Sequence, residues 1–194
     1  DNVYAAVVNI DVGEKDLQQC ADAIMRLRAE YLFAQQRYDE IKFNLTNGFT
    51  TEYSKWQNGY RISVKGNKTN WVKKSEPDNS YNQFRQYLDL IFTYAGTLSL
   101  EKELTPITTN EIEIGSVFIK GGSPGHAVIV VDLAENKTTG EKIFLLAQSY
   151  MPAQDIQILK NPNSPNLSPW YSTKIEQKLI TPEWTFTKNQ LRKF

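Results

Sequence analysis

One cysteine and one histidine occur in 194 residues, so a thiol–imidazole pair in this chain can only be Cys20 with His126. A thiol acts as a nucleophile in its thiolate form. An imidazole is the side chain suited to take its proton near neutral pH. His126 stands where the glycine-rich turn Gly121-Gly122-Ser123-Pro124-Gly125 passes into the β-branched run from Val128 to Val131. The next apolar run, Ile143 to Ala147, ends at the polar amide of Gln148. A polar amide in such a run needs a hydrogen-bond partner. A hairpin whose turn centres near Lys137 places Gln148 across from His126 on one face, where it would hold the ring. Asp132 is a weaker orienter, because six residues of strand carry it roughly 20 Å away.

The elements that must position these residues follow from periodicity. Val3 to Val12 reads as a buried strand. Asp16, with Gln19 three residues later, predicts a helix start at about Asp16. Cys20 then ends the first turn, where the helix dipole fades. Leu17, Cys20, Ile24, Leu27 and Tyr31 form one apolar stripe. In that stripe Cys20 would serve equally well as a small buried hydrophobe, and His126 as a hydrogen-bonded strand-end residue. Arg26, Arg28 and Glu30 read as a solvated face with local ion pairs. Strands are predicted at Tyr60 to Lys65 and Asn70 to Lys73. Helices are predicted from Ser80 to Tyr94, ended by Gly96, and from Leu98 to Leu104. Ile112 to Lys120, His126 to Leu133 and Ile143 to Tyr150 form an antiparallel meander. The Pro- and Asn-rich remainder holds one strand near Trp184 to Thr187. Helices first and strands later define an α+β class and a single domain over 1–194.

Composition excludes several functions. Lys+Arg and Asp+Glu are balanced at 22 each, so no basic footprint for nucleic acid exists. No apolar run reaches membrane-spanning length, and none of these residues is expected to form a signal peptide. One Cys and one His cannot assemble a structural zinc site, and no cofactor is expected. Trp56, Tyr60, Trp71, Trp170 and Tyr171 could stack on a sugar, or serve as core and loop anchors. Arg61 could meet an anionic group. The chain begins at Asp1 rather than Met, so a processed or trimmed form is expected.

A cysteine in an early helix, a Gly-His opening an apolar strand, and a polar residue on the next strand together resemble the NlpC and CHAP types of papain-like cell-wall peptidase. The strand Ile114-Gly115-Ser116-Val117-Phe118 is similar to their glycine-led strand, with Ser116 where Asp is usual. The resemblance implies a papain-like fold: an N-terminal helix packed on a strand meander, with a helical insertion. It further implies Cys20 as nucleophile, His126 as base and Gln148 as ring orienter, acting on cell-wall peptide. Over more of the chain, QQCADAIMRLRAEYL, PGHAVIVVD and LLAQSYMPAQ resemble a family of uncharacterised proteins of Bacteroides-type bacteria, exported or lipid-anchored. That resemblance implies a cell-envelope or periplasmic location, an N-terminal segment of the full-length protein that this chain lacks, and a lipid anchor in the full-length protein. The alternative from the same residues is a non-catalytic envelope module binding glycan, peptide or protein.

Overall fold

The computed structural model describes residues 3–194. In chain order its elements are β1 (Tyr4–Val7), α1 (Cys20–Ala34), β2 (Lys42–Asn44), β3 (Thr50–Glu52), α2 (Tyr53–Gln57), β4 (Tyr60–Lys65), β5 (Lys68–Lys73), α3 (Tyr81–Tyr94) and α4 (Thr97–Glu103). There follow β6 (Thr105–Pro106), β7 (Val117–Lys120), β8 (His126–Glu135), β9 (Lys142–Gln148), β10 (Gln157–Leu159), β11 (Tyr171–Ser172), β12 (Lys178–Ile180), β13 (Thr185–Thr187) and β14 (Leu191–Lys193). The class is mixed α+β, as the sequence predicts, built on a largely antiparallel sheet in the order β1-β10-β9-β8-β7-β14-β6, with β11 also on β9.

Alternation along the central strands feeds two cores on the two faces of this sheet. Val117, Ile119, Ala127, Ile129 and Ala147 face α1, α3 and α4, where they meet Ile24, Ala29, Leu32, Phe84 and Leu88. Phe118, Val128, Val130, Phe144 and Leu146 face the other way, onto Tyr171, Leu179, Phe186 and Leu191 from the C-terminal segments. Because both faces are covered, the strands read as continuous apolar runs. The segment between α1 and α3 carries two hairpins, β2–β3 and β4–β5, beside the short helix α2. It is thus less helical than the expected insertion.

Several expectations are corrected. The first strand is only Tyr4–Val7, and all four of its residues are exposed. It pairs with β10 at the sheet edge, so its apolar composition reflects strand propensity, not burial. Helix α1 starts at Cys20, four residues later than predicted, because Asp22 accepts the Gln19 backbone N–H (3.1 Å) and caps the helix there. The buried face of α1 is also rotated from the predicted stripe. It runs through Ile24, Met25, Ala29 and Leu32, while Tyr31 is exposed. A helix packed against both a sheet and two other helices buries a broader face than one stripe.

Arg26 is not solvated. Its guanidinium is buried, donating to Glu30 Oε1 (2.6 Å), Gln18 Oε1 (2.9 Å), the Asp11 carbonyl (3.0 Å) and Tyr81 Oη (3.1 Å). A buried guanidinium is tolerated only with such full partnering. It ties the segment leading into Cys20 to α1 and α3.

Candidate active site

Cys20 is the first residue of α1. The first backbone N–H groups of a helix have no intrahelical acceptor and carry the positive end of its dipole. The amides of Cys20 and Ala21 bear on the thiol, as does the backbone N–H of Ala127 on β8. These favour the thiolate, but burial outweighs them and Asp22 adds a like charge, so the Cys20 pKa is pushed up. The thiol is half-buried.

His126 opens β8, pairs with Lys120 of β7, and is 2% exposed. The glycine turn before it is required by close packing on the start of α4. A Cβ on Gly125 would lie 2.4 Å from the Gly122 carbonyl and 2.5 Å from Thr97 Oγ1. Burial lowers the His126 pKa, partly offset by its hydrogen bond to Gln148 and by the Glu183 charge. Its ring is flanked by Tyr150 (5.0 Å between centroids), Trp184 (5.4 Å) and Phe186 (6.0 Å).

The β8–β9 ladder explains how Gln148 reaches the ring. The strands pair from Glu135–Lys142 inward, and a bulge at Val131 shifts the register by one residue. Beyond it Ile129 faces Ala147 and Val130 faces Leu146. That register makes His126 and Gln148 diagonal neighbours on one face, not directly opposed as a turn at Lys137 implied. Without the bulge Gln148 would face Ile129 and point into the helical core. His126 Nε2 lies 2.9 Å from Gln148 Oε1, and both side chains are buried. Gln148 Nε2 in turn donates to Glu183 Oε2 (2.6 Å).

Glu183 and Trp184 were missed in the sequence. Both lie in the Thr181–Trp184 turn between β12 and β13, closed by Thr181 N–H to the Trp184 carbonyl (2.8 Å). The buried Leu179 and Phe186 on its two strands hold this turn against the sheet. Asp132 is exposed and bonds its neighbour Leu133, so it does not orient the ring.

Cys20, His126, Tyr150 and Trp184 all line one cleft of about 450 Å³. Two staples hold its halves in register. The Ser149 hydroxyl lies between the carbonyls of Gln154 (2.8 Å) and Gln18 (3.1 Å), and Asp16 Oδ1 accepts the Ala153 N–H (2.7 Å). The residues just after Gln148 are thereby tied to those just before Cys20. Among the described residues no hydrogen bond joins the thiol to the imidazole. The ring bonds Gln148 through Nε2.

Other candidates do not converge. Trp56 and Tyr171 are buried in different cores, and Trp71 packs on Phe49. Arg61 lies over Trp56 and donates to Gln83 and two carbonyls, so it is already engaged. No group of three or more His, Cys, Asp or Glu side chains suited to a metal occurs among the described residues. Nor is any helix there long and apolar enough to cross a membrane.

The class defined here is an α+β domain with a thiol and an amide-held imidazole on one cleft. A family model described as "Domain of unknown function (4846)" matches residues 1–193, and the chain belongs to that family. Neither the curated proteins nor the solved structures give a match.

Proposed function

We propose that this protein is a papain-like cysteine hydrolase of amide bonds in the bacterial cell envelope, with cell-wall peptide as substrate. The observation carrying the proposal is that the helix-start Cys20 and the Gln148-held His126 line one cleft. With Nε2 engaged by Gln148, Nδ1 is the nitrogen left to exchange protons. The Cys20 sulfur attacks the scissile carbonyl while His126 Nδ1 takes the thiol proton. Free amides at the start of α1 bear the oxyanion. The imidazolium returns its proton to the departing amine. Water, deprotonated by His126, then hydrolyses the thioester and restores the thiol. The envelope location and peptide substrate are carried over from the resemblance in the Cys20, His126 and Gln148 segments.

The test is mass spectrometry of cell-wall stem peptides incubated with the protein. New amine and carboxylate ends should appear, falling by about a hundredfold or more in Cys20→Ala and His126→Ala. Absence of cleavage across such a panel, with Cys20 alkylation indifferent to His126, would sink the proposal. The burial-raised thiol pKa and the missing Cys20–His126 hydrogen bond favour a second reading, a binding module without turnover. In that case peptide or glycan binds equally well to Cys20→Ala and is recovered intact.

A further inference from the structure

We infer that Glu183 is a positioning residue, setting through Gln148 which nitrogen of His126 carries the proton. Its catalytic consequence rests on the hydrolase reading, but the tautomer itself does not. An amide offers an oxygen that accepts and a nitrogen that donates, and either end can face a partner. Here one end of Gln148 lies 2.6 Å from a Glu183 carboxylate oxygen and the other 2.9 Å from His126 Nε2. A carboxylate accepts hydrogen bonds, so it selects the amide nitrogen. The flipped amide would press two acceptors together at 2.6 Å. Gln148 is therefore obliged to turn Oε1 toward the imidazole. An oxygen there has no hydrogen to give, so the ring must donate from Nε2. A neutral ring protonated at Nε2 keeps its lone pair on Nδ1, the form a general base needs.

Burial gives this chain of choices its force. Gln148 is 1% and His126 2% exposed, so water does not readily replace a lost partner. Glu183 is exposed, and it sits in the same turn as Trp184, whose ring flanks the imidazole. One surface turn therefore supplies both the wall of the ring pocket and the charge that orders its hydrogen bonds. Among the described residues no other side chain bonds the Gln148 amide nitrogen. Removing the carboxylate thus removes the device that distinguishes the two amide orientations.

His126 is the sole histidine, so a long-range ¹H–¹⁵N spectrum of the uniformly labelled protein shows one imidazole and reports its tautomer directly. At neutral pH the wild-type neutral ring should favour Nε2–H over Nδ1–H by about tenfold or more, because the other tautomer leaves two buried acceptors facing each other unsatisfied. In Glu183→Gln the position-183 amide can give or accept, the Gln148 flip is no longer imposed, and the ratio should fall to within about threefold. The double variant Gln148→Glu/Glu183→Gln places the carboxylate next to the ring and should restore the wild-type preference. A wild-type ring protonated at Nδ1, an unchanged ratio in Glu183→Gln, or a double variant that stays mixed each overturns the inference. The wild-type spectrum needs no variant to fold. Should the tautomer behave as stated while Cys20 alkylation ignores His126, the hydrolase reading fails and this inference stands.

Discussion

Asp22 is a buried carboxyl with half of its hydrogen bonding missing, and replacing it with asparagine should stabilise the protein in a pH-dependent way. Oδ2 accepts the Gln19 N–H, but Oδ1 is buried without a partner. Burial raises the Asp22 pKa from 3.8 to about 7. The native state therefore holds its proton where the unfolded chain has lost it. The Asp22 contribution to stability is fullest below pH 3.8 and declines as pH rises toward about 7, beyond which the full penalty persists. Asp22→Asn keeps the cap acceptor and cannot ionise. At about 1.4 kcal/mol per pKa unit, its advantage over wild type should grow by about 3 kcal/mol between roughly pH 5 and pH 8. His126 contributes the opposite slope, since its lowered pKa weakens the fold as pH falls below 6.5. That term is common to both proteins and cancels in the difference. Urea unfolding of both proteins at the two pH values measures it. Asp22 also raises the Cys20 pKa, so the variant should alkylate faster above neutrality. An advantage that is equal at both pH values, or that shrinks as pH rises, would mean that Asp22 carries no such burial penalty.

Further expectations follow from the same geometry. Gln148→Leu removes the acceptor of the buried His126 ring and should cost about 1–3 kcal/mol, with the His126 pKa, read by NMR titration, falling further. Arg26→Ala leaves the buried Gln18 Oε1 without its donor and frees the lead-in to Cys20, so urea unfolding should show a loss of about 1–3 kcal/mol. A surface Arg would show almost none. Gly125→Ala drives a methyl to 2.4 Å from the Gly122 carbonyl and should cost about 1–3 kcal/mol in thermal unfolding. It should also abolish any dependence of Cys20 alkylation on His126, because the turn that aims the ring must move.

The strands and helices with strong periodicity were legible in the sequence. Ser80 caps α3 within a residue of expectation, β4 matches its predicted run, β7 fills only the second half of its run, and β8 and β9 match theirs to within two residues at each end. The His126–Gln148 contact was also legible, since a lone polar amide ending a buried strand needs a partner. Its register was not. The bulge at Val131 carries no sequence mark, yet it decides which face Gln148 takes. The start of α1 was misplaced because two capping pairs compete, and Asp22 on Gln19 wins over Gln19 on Asp16. Arg26 looked like surface because its four partners come from positions 11, 18, 30 and 81. Glu183 lies 35 residues beyond Gln148 in a Pro-containing turn without periodicity. Only tertiary packing of the β12–β13 hairpin brings it to the site.

The proposed hydrolase requires that His126 serve Cys20 as a base. Cys20 is the sole thiol, so the rate of its alkylation by iodoacetamide across pH reports on that requirement without ambiguity. At neutral pH the wild-type rate should exceed that of His126→Ala by about tenfold or more. Equal rates in the two proteins, each rising only with an ionisation near pH 8.5 or above, would contradict it.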